Sequence, residues 1–428
     1  MELNKTQVKF SIFNFQSPIY KQPAWWFWAA IFIGLAIRIY FVVFTEGTCD
    51  VLTWQSHAAG IQEKGLIGYY RANEDMNHPP FIGIVMSWLL SISKISGVPF
   101  RILFRGIFTL LDAGTAILLL YSFCESRYRF LIAAGYWLHP LAIIFSSYHG
   151  NTDSSVAFFL MLCVYLLSKE KTVLAGAILG ISFWIKLPGM LAAPALVFFL
   201  PHWKERLRFL LTAGIVGIST YLPAFFSDPA IICKNVFLYQ GHITVTTAHT
   251  PTWGTLIFLM PFFDNLPLYW QIKLGKPLVF LMNNGVWPAM GLIVFLSWLR
   301  RSKRTIRGLG LTIAVAYTIL YAFSSSWSFQ YFTWSVPFWF FAPPAFLIAV
   351  TFLTSGYIYS LYWLLCGNPW LLGEWDFLGH PYWPRFLEMF RNGSLLFFIF
   401  SALVFLAAGV YSEGARLYNR LRSCYSGK

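Results

Sequence analysis

Residues 31–54 read IFIGLAIRIYFVVFTEGTCDVLTW. Thirteen apolar positions broken only by Arg38 run into a short polar stretch that ends on a lone carboxylate, Asp50. An apolar run of this length satisfies its own backbone hydrogen bonds in a bilayer only as a helix. Similar runs recur along all 428 residues, of which 57% are hydrophobic and 11% charged. Soluble domains carry about 25% charged residues. The chain therefore reads as an all-α polytopic membrane protein.

Twelve spans are expected, at about 25–45, 102–123, 130–147, 154–168, 171–185, 188–201, 208–226, 277–299, 308–324, 331–350, 355–367 and 395–411. With residues 1–24 inside, the cytoplasmic segments hold 19 of the 31 Lys and Arg but only 5 of the 17 acids. That surplus equals the whole net charge of +14, as the positive-inside rule expects. The basic balance thus reports orientation and gives no support to a nucleic-acid partner. Residues 1–24 are a cytoplasmic segment with no removable signal peptide, 25–350 a transmembrane core, and 351–428 further spans and a basic tail. The six cysteines show no paired spacing, so neither a disulfide framework nor a metal site is expected.

Five segments fall on the outer face. The first, 46–101, is long. After Asp50 come Val51, Trp54, Ala58 and Ile61, an apolar stripe at helical spacing that suits a helix lying in the interface plane. Then NEDMNHPPF turns the chain, and Pro79 and Pro80 start the next juxtamembrane helix. The second is YHGNTDSS, 148–155, with His149 and Asp153. The third, 227–276, carries His242 and an apolar part, 253–263, that suits re-entry. The fourth, 324–337, carries Gln330 and Tyr331, and the fifth, 368–394, is rich in Trp and Pro. Lys186 lies between apolar stretches at the outer tip of a hairpin.

Several of these residues have structural readings as well. Asp50 and Asp153 each sit where an N-cap is favoured. Lys186 is placed to snorkel. The aromatic residues suit interfacial belts. Arg38 and Asp112 lie about 10 and 15 Å below the outer surface at 1.5 Å per residue. Charges at that depth are costly and usually paired, so a structural ion pair between them is expected.

Taken in order, these features resemble a family. An intramembrane Arg precedes an outward Asp at the head of a long first loop, and that loop carries a PPF turn. RGIFTLLDAG, a Gly-Asn-x-Asp second loop and QYFTWSVPF follow. The pattern resembles the GT-C superfamily of integral-membrane glycosyltransferases, which use polyprenyl-phosphate sugars. The resemblance covers roughly 30–340. It implies transfer of a hexose from a polyprenyl-phosphate donor to a hydroxyl of a glycan, lipid or protein acceptor, with inversion. The site would face the periplasm or lumen of a plasma (inner) or ER-type membrane. It maps the catalytic carboxylate to Asp50 and a second acid to Asp153. Many members bind a divalent metal through Asp-x-Asp. Here TCDVLTW has one acid, with Glu46 four residues earlier, so no cofactor is expected. A lipid-phosphate leaving group departs without protonation, which leaves one proton to remove from the attacking hydroxyl. Cations and hydrogen-bond donors for the phosphate and substrate would come from Lys186, His78, Arg71, His149 and His242, with Gln330 and Tyr331. A lipid or solute transporter or flippase is the alternative, and would instead show a mid-membrane site and an internal repeat. An acyltransferase using His149 is a third.

Overall fold

The structure is a computed structural model that describes residues 24–238, 263–324, 328–376 and 383–426. His242, most of the 253–263 segment and nearly all of 1–24 lie outside the described residues. Among the described residues all regular structure is helical.

Five helices are long and apolar enough to cross a membrane: α1 (Trp25–Phe44), α4 (Phe100–Ser122), α15 (Ile306–Phe323), α17 (Pro344–Cys366) and α18 (Arg385–Ser426). A sixth span is broken. In it, α5 (Arg129–Trp137) meets α6 (Pro140–Ile143) and its π-helical extension Ile144–His149 at 49°. Pro140 lacks the N–H that would continue α5, which accounts for the break. Shorter apolar helices fill the bundle: α7 (Asp153–Ser168), α8 (Thr172–Ile185), the 3-10 turn Leu187–Ala192 with α9 (Ala193–Phe199), and α14 (Val286–Leu299). The chain is an all-α multi-pass membrane protein, and large apolar side chains such as Phe32, Ile33, Leu110 and Ile117 stay exposed on the helix surfaces.

Expected boundaries move: 208–226 is divided between the helices Trp203–Ser219 and Leu222–Ser227, and 277–299 between Leu268–Asn284 and Val286–Leu299. The spans placed at 331–350 and 355–367 divide instead at Pro343–Pro344. A 3-10 turn, Phe329–Trp334, and α16 (Val336–Trp339) precede the break, and α17 runs unbroken through 350–355. The proline pair forces extended backbone at residue 343, while 350–355 contains no residue that stops a helix.

The first outer loop is helical, as expected. α2 (Cys49–Ala72) is kinked at Gly65, whose φ is +70°, and α3 (Pro80–Ser96) begins on Pro80. The stripe Val51, Trp54, Ala58 and Ile61 is buried, but against protein. Trp54 and Ala58 join Ile82, Met86, Phe104 and Phe108 in one apolar cluster of α2, α3 and α4. The interface-plane expectation therefore changes: neighbouring helices, not lipid, cover this face. A larger core joins α4, α7, α15, α17 and α18, so the C-terminal helices pack into the same body as the rest.

Candidate active site

Asp50 stands in the first turn of α2. Thr48 caps the helix, its hydroxyl oxygen accepting from the Asp50 N–H at 3.3 Å while its own O–H donates to the His149 carbonyl at 2.7 Å. The cap thus ties the first outer loop to the second. Two side chains converge on Asp50 Oδ2: His149 Nε2 at 3.1 Å and the Asn151 amide at 2.5 Å. Both come from the turn that closes the broken span. A π-helical stretch ends on His149, and Gly150 then adopts a φ of +77°. A Cβ at Gly150 would lie 2.3 Å from Val51 Cγ2, so only glycine allows this turn to lie on the start of α2. π-helical turns inside helices often mark functional sites.

Asp50 is the more open of the two acids, with 30% of its side chain exposed against 1% for Asp153. Burial pushes the Asp50 carboxyl up. Attraction to the facing imidazole, hydrogen bonds from His149 and Asn151, and the positive charge of Lys186 outweigh it. The carboxyl is held below its ordinary value and is ionised at neutral pH.

Asp153 begins α7. Its Oδ1 accepts from Lys186 Nζ at 2.7 Å and from Trp334 Nε1 at 2.6 Å. Oδ2 is buried and has no hydrogen-bond partner among the described residues. Lys186 follows α8 in extended backbone, which carries its ammonium away from the helix axis. It lies 5.7 and 6.0 Å from the Tyr331 and Trp334 rings, which stack on each other at 4.2 Å. Lys186 therefore links the two acids: it bonds one and lowers the pKa of the other.

The remaining candidates divide. His78 packs against Trp54 at 4.3 Å. Burial, the charge of Lys186 and nearby His57 push its imidazole well below the usual histidine value, outweighing the pull of Asp50, so it carries no charge at neutral pH. Gln330 and Tyr331 both sit in the 3-10 turn beside Lys186; Gln330 Oε1 accepts from the Ser328 hydroxyl at 3.0 Å. Arg71 lies elsewhere: at the far end of α2 it pairs with Asp228 at 2.8 Å on an exposed surface. Glu46 turns away to Arg101 at 3.1 Å. The two side chains on Asp50 Oδ2 are hydrogen-bond donors rather than further acids, and no group of three or more His, Cys, Asp or Glu among the described residues is placed to hold a metal. This donor set does not fit a divalent cation.

Below the site, Arg38 and Asp112 form an ion pair, with Arg38 Nε also 3.2 Å from Asp112 Oδ2. Arg38 donates to the Trp137 carbonyl at 2.7 Å, and Asp112 accepts from Tyr136 at 2.5 Å.

Sequence reasoning passed over several contributors. Arg105, fully buried in α4, donates to the Thr45 carbonyl at 2.6 Å, to Val42 at 3.0 Å and to Tyr148 at 3.3 Å. It fixes the loop that presents Asp50, and its place at the head of RGIFTLLDAG was the available signal. Asn151 could have been found in the Gly-Asn-x-Asp loop. Trp334 stands within QYFTWSVPF, whereas Tyr362, 2.6 Å from His149 Nδ1, carries no local signal.

At the opposite ends of α4 and α7, a cleft of about 860 Å3 opens between segments 121–126, 167–172, 199–205 and 304–307. These are the expected cytoplasmic turns, so this cleft is remote from the two acids.

Known proteins similar to this chain share one description. GPI mannosyltransferase 1 of Kluyveromyces lactis is 24% identical over 326 residues, which cover 73% of this chain and 75% of the relative. GPI mannosyltransferase 1 of Saccharomyces cerevisiae is 26% identical over 187 residues, 41% of this chain and 46% of the relative. GPI mannosyltransferase 1 of Eremothecium gossypii is 26% identical over 162 residues, 36% and 40% respectively. The last two matches span less than half the length of those relatives. No family model matches the chain, and no solved structure does. The similarity bears out the resemblance to the GT-C membrane glycosyltransferases.

Proposed function

We propose that this protein transfers a hexose, mannose in view of its relatives' names, from a polyprenyl-phosphate donor to an acceptor hydroxyl. Transfer takes place on the outer face of a plasma or ER-type membrane. The observation that carries this reading is the meeting of Asp50, Asp153 and Lys186 at one end of the bundle. The first loop, the second loop, the α8 tip and the 329–334 turn all contribute to it.

The chemistry follows from these positions. Asp50 takes the proton from the acceptor hydroxyl. That oxygen bonds to the anomeric carbon as the bond from carbon to the phosphate oxygen breaks, inverting the centre. The phosphate leaves as an anion beside Lys186, whose ammonium offsets the developing charge. Asp153 holds Lys186 in place. Tyr331, half-buried and stacked on the buried Trp334, gives an aromatic face of the kind on which a pyranose ring packs. Arg71 has no part in this scheme.

A transporter would place its charges near mid-membrane. The intramembrane charges here, Arg38 and Asp112, are paired with each other.

The test is turnover by purified protein with polyprenyl-phosphate mannose and candidate acceptors. Asp50→Asn should abolish turnover while donor affinity stays nearly unchanged, because a base acts mainly in the transition state. An Asn variant with half the native rate would reduce Asp50 to a helix-terminal residue. The native pH profile adds a second readout. With the folded-state pKa lowered, Asp50 stays ionised as pH falls through the ordinary carboxylate range. Turnover should then be lost only below that range.

A further inference from the structure

Tyr362 lies near the outer end of α17, about 310 residues after Asp50 in the chain, and is fully buried. Its hydroxyl is 2.6 Å from His149 Nδ1, and His149 Nε2 is 3.1 Å from Asp50 Oδ2. His149 is itself 2% exposed, between the Phe145 and Phe329 rings, and its carbonyl accepts from Thr48. The imidazole is thus enclosed, with one nitrogen on each polar neighbour.

The protons follow from donor and acceptor capacity. An ionised carboxylate only accepts, so the nitrogen facing Asp50 carries a hydrogen. In the neutral ring Nδ1 is then an acceptor and takes the Tyr362 O–H. If the ring is protonated, Nδ1–H donates to the phenol oxygen instead. Tyr362 satisfies Nδ1 in both states and holds the ring with Nε2 on Asp50. A histidine's second partner sets its tautomer and orientation in this way. Asn151 completes the grip on Oδ2, while the hydrogen-bonding neighbour of Oδ1 among the described residues is the Cys49 thiol, at 3.9 Å.

We propose that Tyr362 is a positioning residue for the transfer reaction. Through His149 it fixes Asp50 Oδ2 and leaves Oδ1 to take the acceptor proton, so that α17, late in the chain, completes the site. This rests on the reading of Asp50 as the base. The titratable and charged groups around the chain are Cys49 beside Asp50, Lys186 and Asp153 from α8 and α7, His78 from the loop before α3, and Tyr148 beside Tyr362. None of them contacts His149 Nδ1, which leaves Tyr362 as its hydrogen-bond partner.

The experiment is a double-mutant cycle on the full-length protein, read as kcat, KM and the pH dependence of kcat. Tyr362→Phe should lower kcat about tenfold with KM unchanged, the size expected for the loss of one hydrogen bond. Its acid limb should move to higher pH, because a loosened Nε2–H bond stabilises the carboxylate less. In a His149→Phe background, Tyr362→Phe should have no further effect, since it acts only through that ring. His149→Gln, whose amide still offers an N–H to Asp50, should retain more turnover than His149→Phe, and this comparison stands even if Tyr362→Phe fails to fold. An unmoved acid limb, multiplicative effects in the cycle, or equal loss in the two His149 variants would each overturn the proposal. If Asp50→Asn is inactive while Tyr362→Phe is unshifted, only the positioning role fails. If Asp50→Asn is active, the base assignment fails first.

Discussion

Lys186 and Asp153 show how one contact can serve both stability and binding. The pair is nearly removed from solvent, with side-chain exposures of 11% and 1%. Removing one member of such a pair strands the other charge and typically costs about 3–5 kcal/mol. Lys186→Met should therefore lower thermal stability in detergent as well as weaken the donor. Asp153→Asn should lower stability too, because the ammonium loses its carboxylate. The double variant separates the roles. With neither charge left, stability should return toward the native value, while donor affinity should stay as weak as in Lys186→Met. A double variant that regained donor affinity would show that Lys186 serves only to neutralise Asp153. At this scale the sequence was informative where a charge stood alone among apolar residues, as Lys186 does, or marked a short polar loop between apolar runs, as Asp50 and Asp153 do. It was silent on Tyr362, one of 22 tyrosines, whose part depends on a contact 213 positions away.

At the scale of elements, the Arg38–Asp112 pair fastens three segments together. Arg38 belongs to α1, Asp112 to α4, and the carbonyl and hydroxyl that complete their bonding come from Trp137 and Tyr136 at the end of α5. Gly34, one turn before Arg38, allows the close approach this needs: a Cβ there would lie 2.4 Å from Trp137 Nε1. Arg38→Met and Asp112→Leu should each destabilise the protein by about 3–5 kcal/mol, because each leaves a buried charge. The double variant should be more stable than the sum of the two losses, by more than the ~0.5 kcal/mol scatter between independent sites. Thermal unfolding of the three variants in detergent checks this, and simple additivity would mean that each charge is held by the α5 groups rather than by the other. The pair was foreseeable from isolation and depth alone. The division of the later spans was not, because 331–350 is apolar throughout and hydropathy has no contrast there. The Pro343–Pro344 step was the usable signal, since it fixes where α17 can begin.

At the scale of the whole molecule, the turns that the charge bias sorts into two sets gather at two ends of the helices. The cytoplasmic turns expected from the Lys and Arg surplus are the ones that meet around the cleft lined by Glu125, Lys169, Glu205 and Arg304. The loops expected outside are the ones that bring Asp50, His149, Lys186 and Tyr331 together, at the other ends of α4 and α7. A lipid-linked donor makes sense only if this second end is the non-cytoplasmic one, so orientation is a direct test of the proposed reaction. Cys49, Cys124, Cys233 and Cys424 would first be replaced by serine; Cys163 and Cys366 are buried and can remain. Native Cys49 is in any case a poor reporter, because burial and the neighbouring Asp50 push its thiol up to about 11. In that background Ser96→Cys, exposed at the end of α3, should react with a membrane-impermeant maleimide in sealed cells or correctly oriented vesicles. Arg304→Cys, on the rim of the cleft, should react only after the membrane is permeabilised. The reverse pattern would place Asp50 on the cytoplasmic side, where nucleotide sugars are at hand, and would overturn the lipid-linked donor. It would also require 19 basic residues to lie outside against 5 acids, contrary to the charge bias that sets helix orientation.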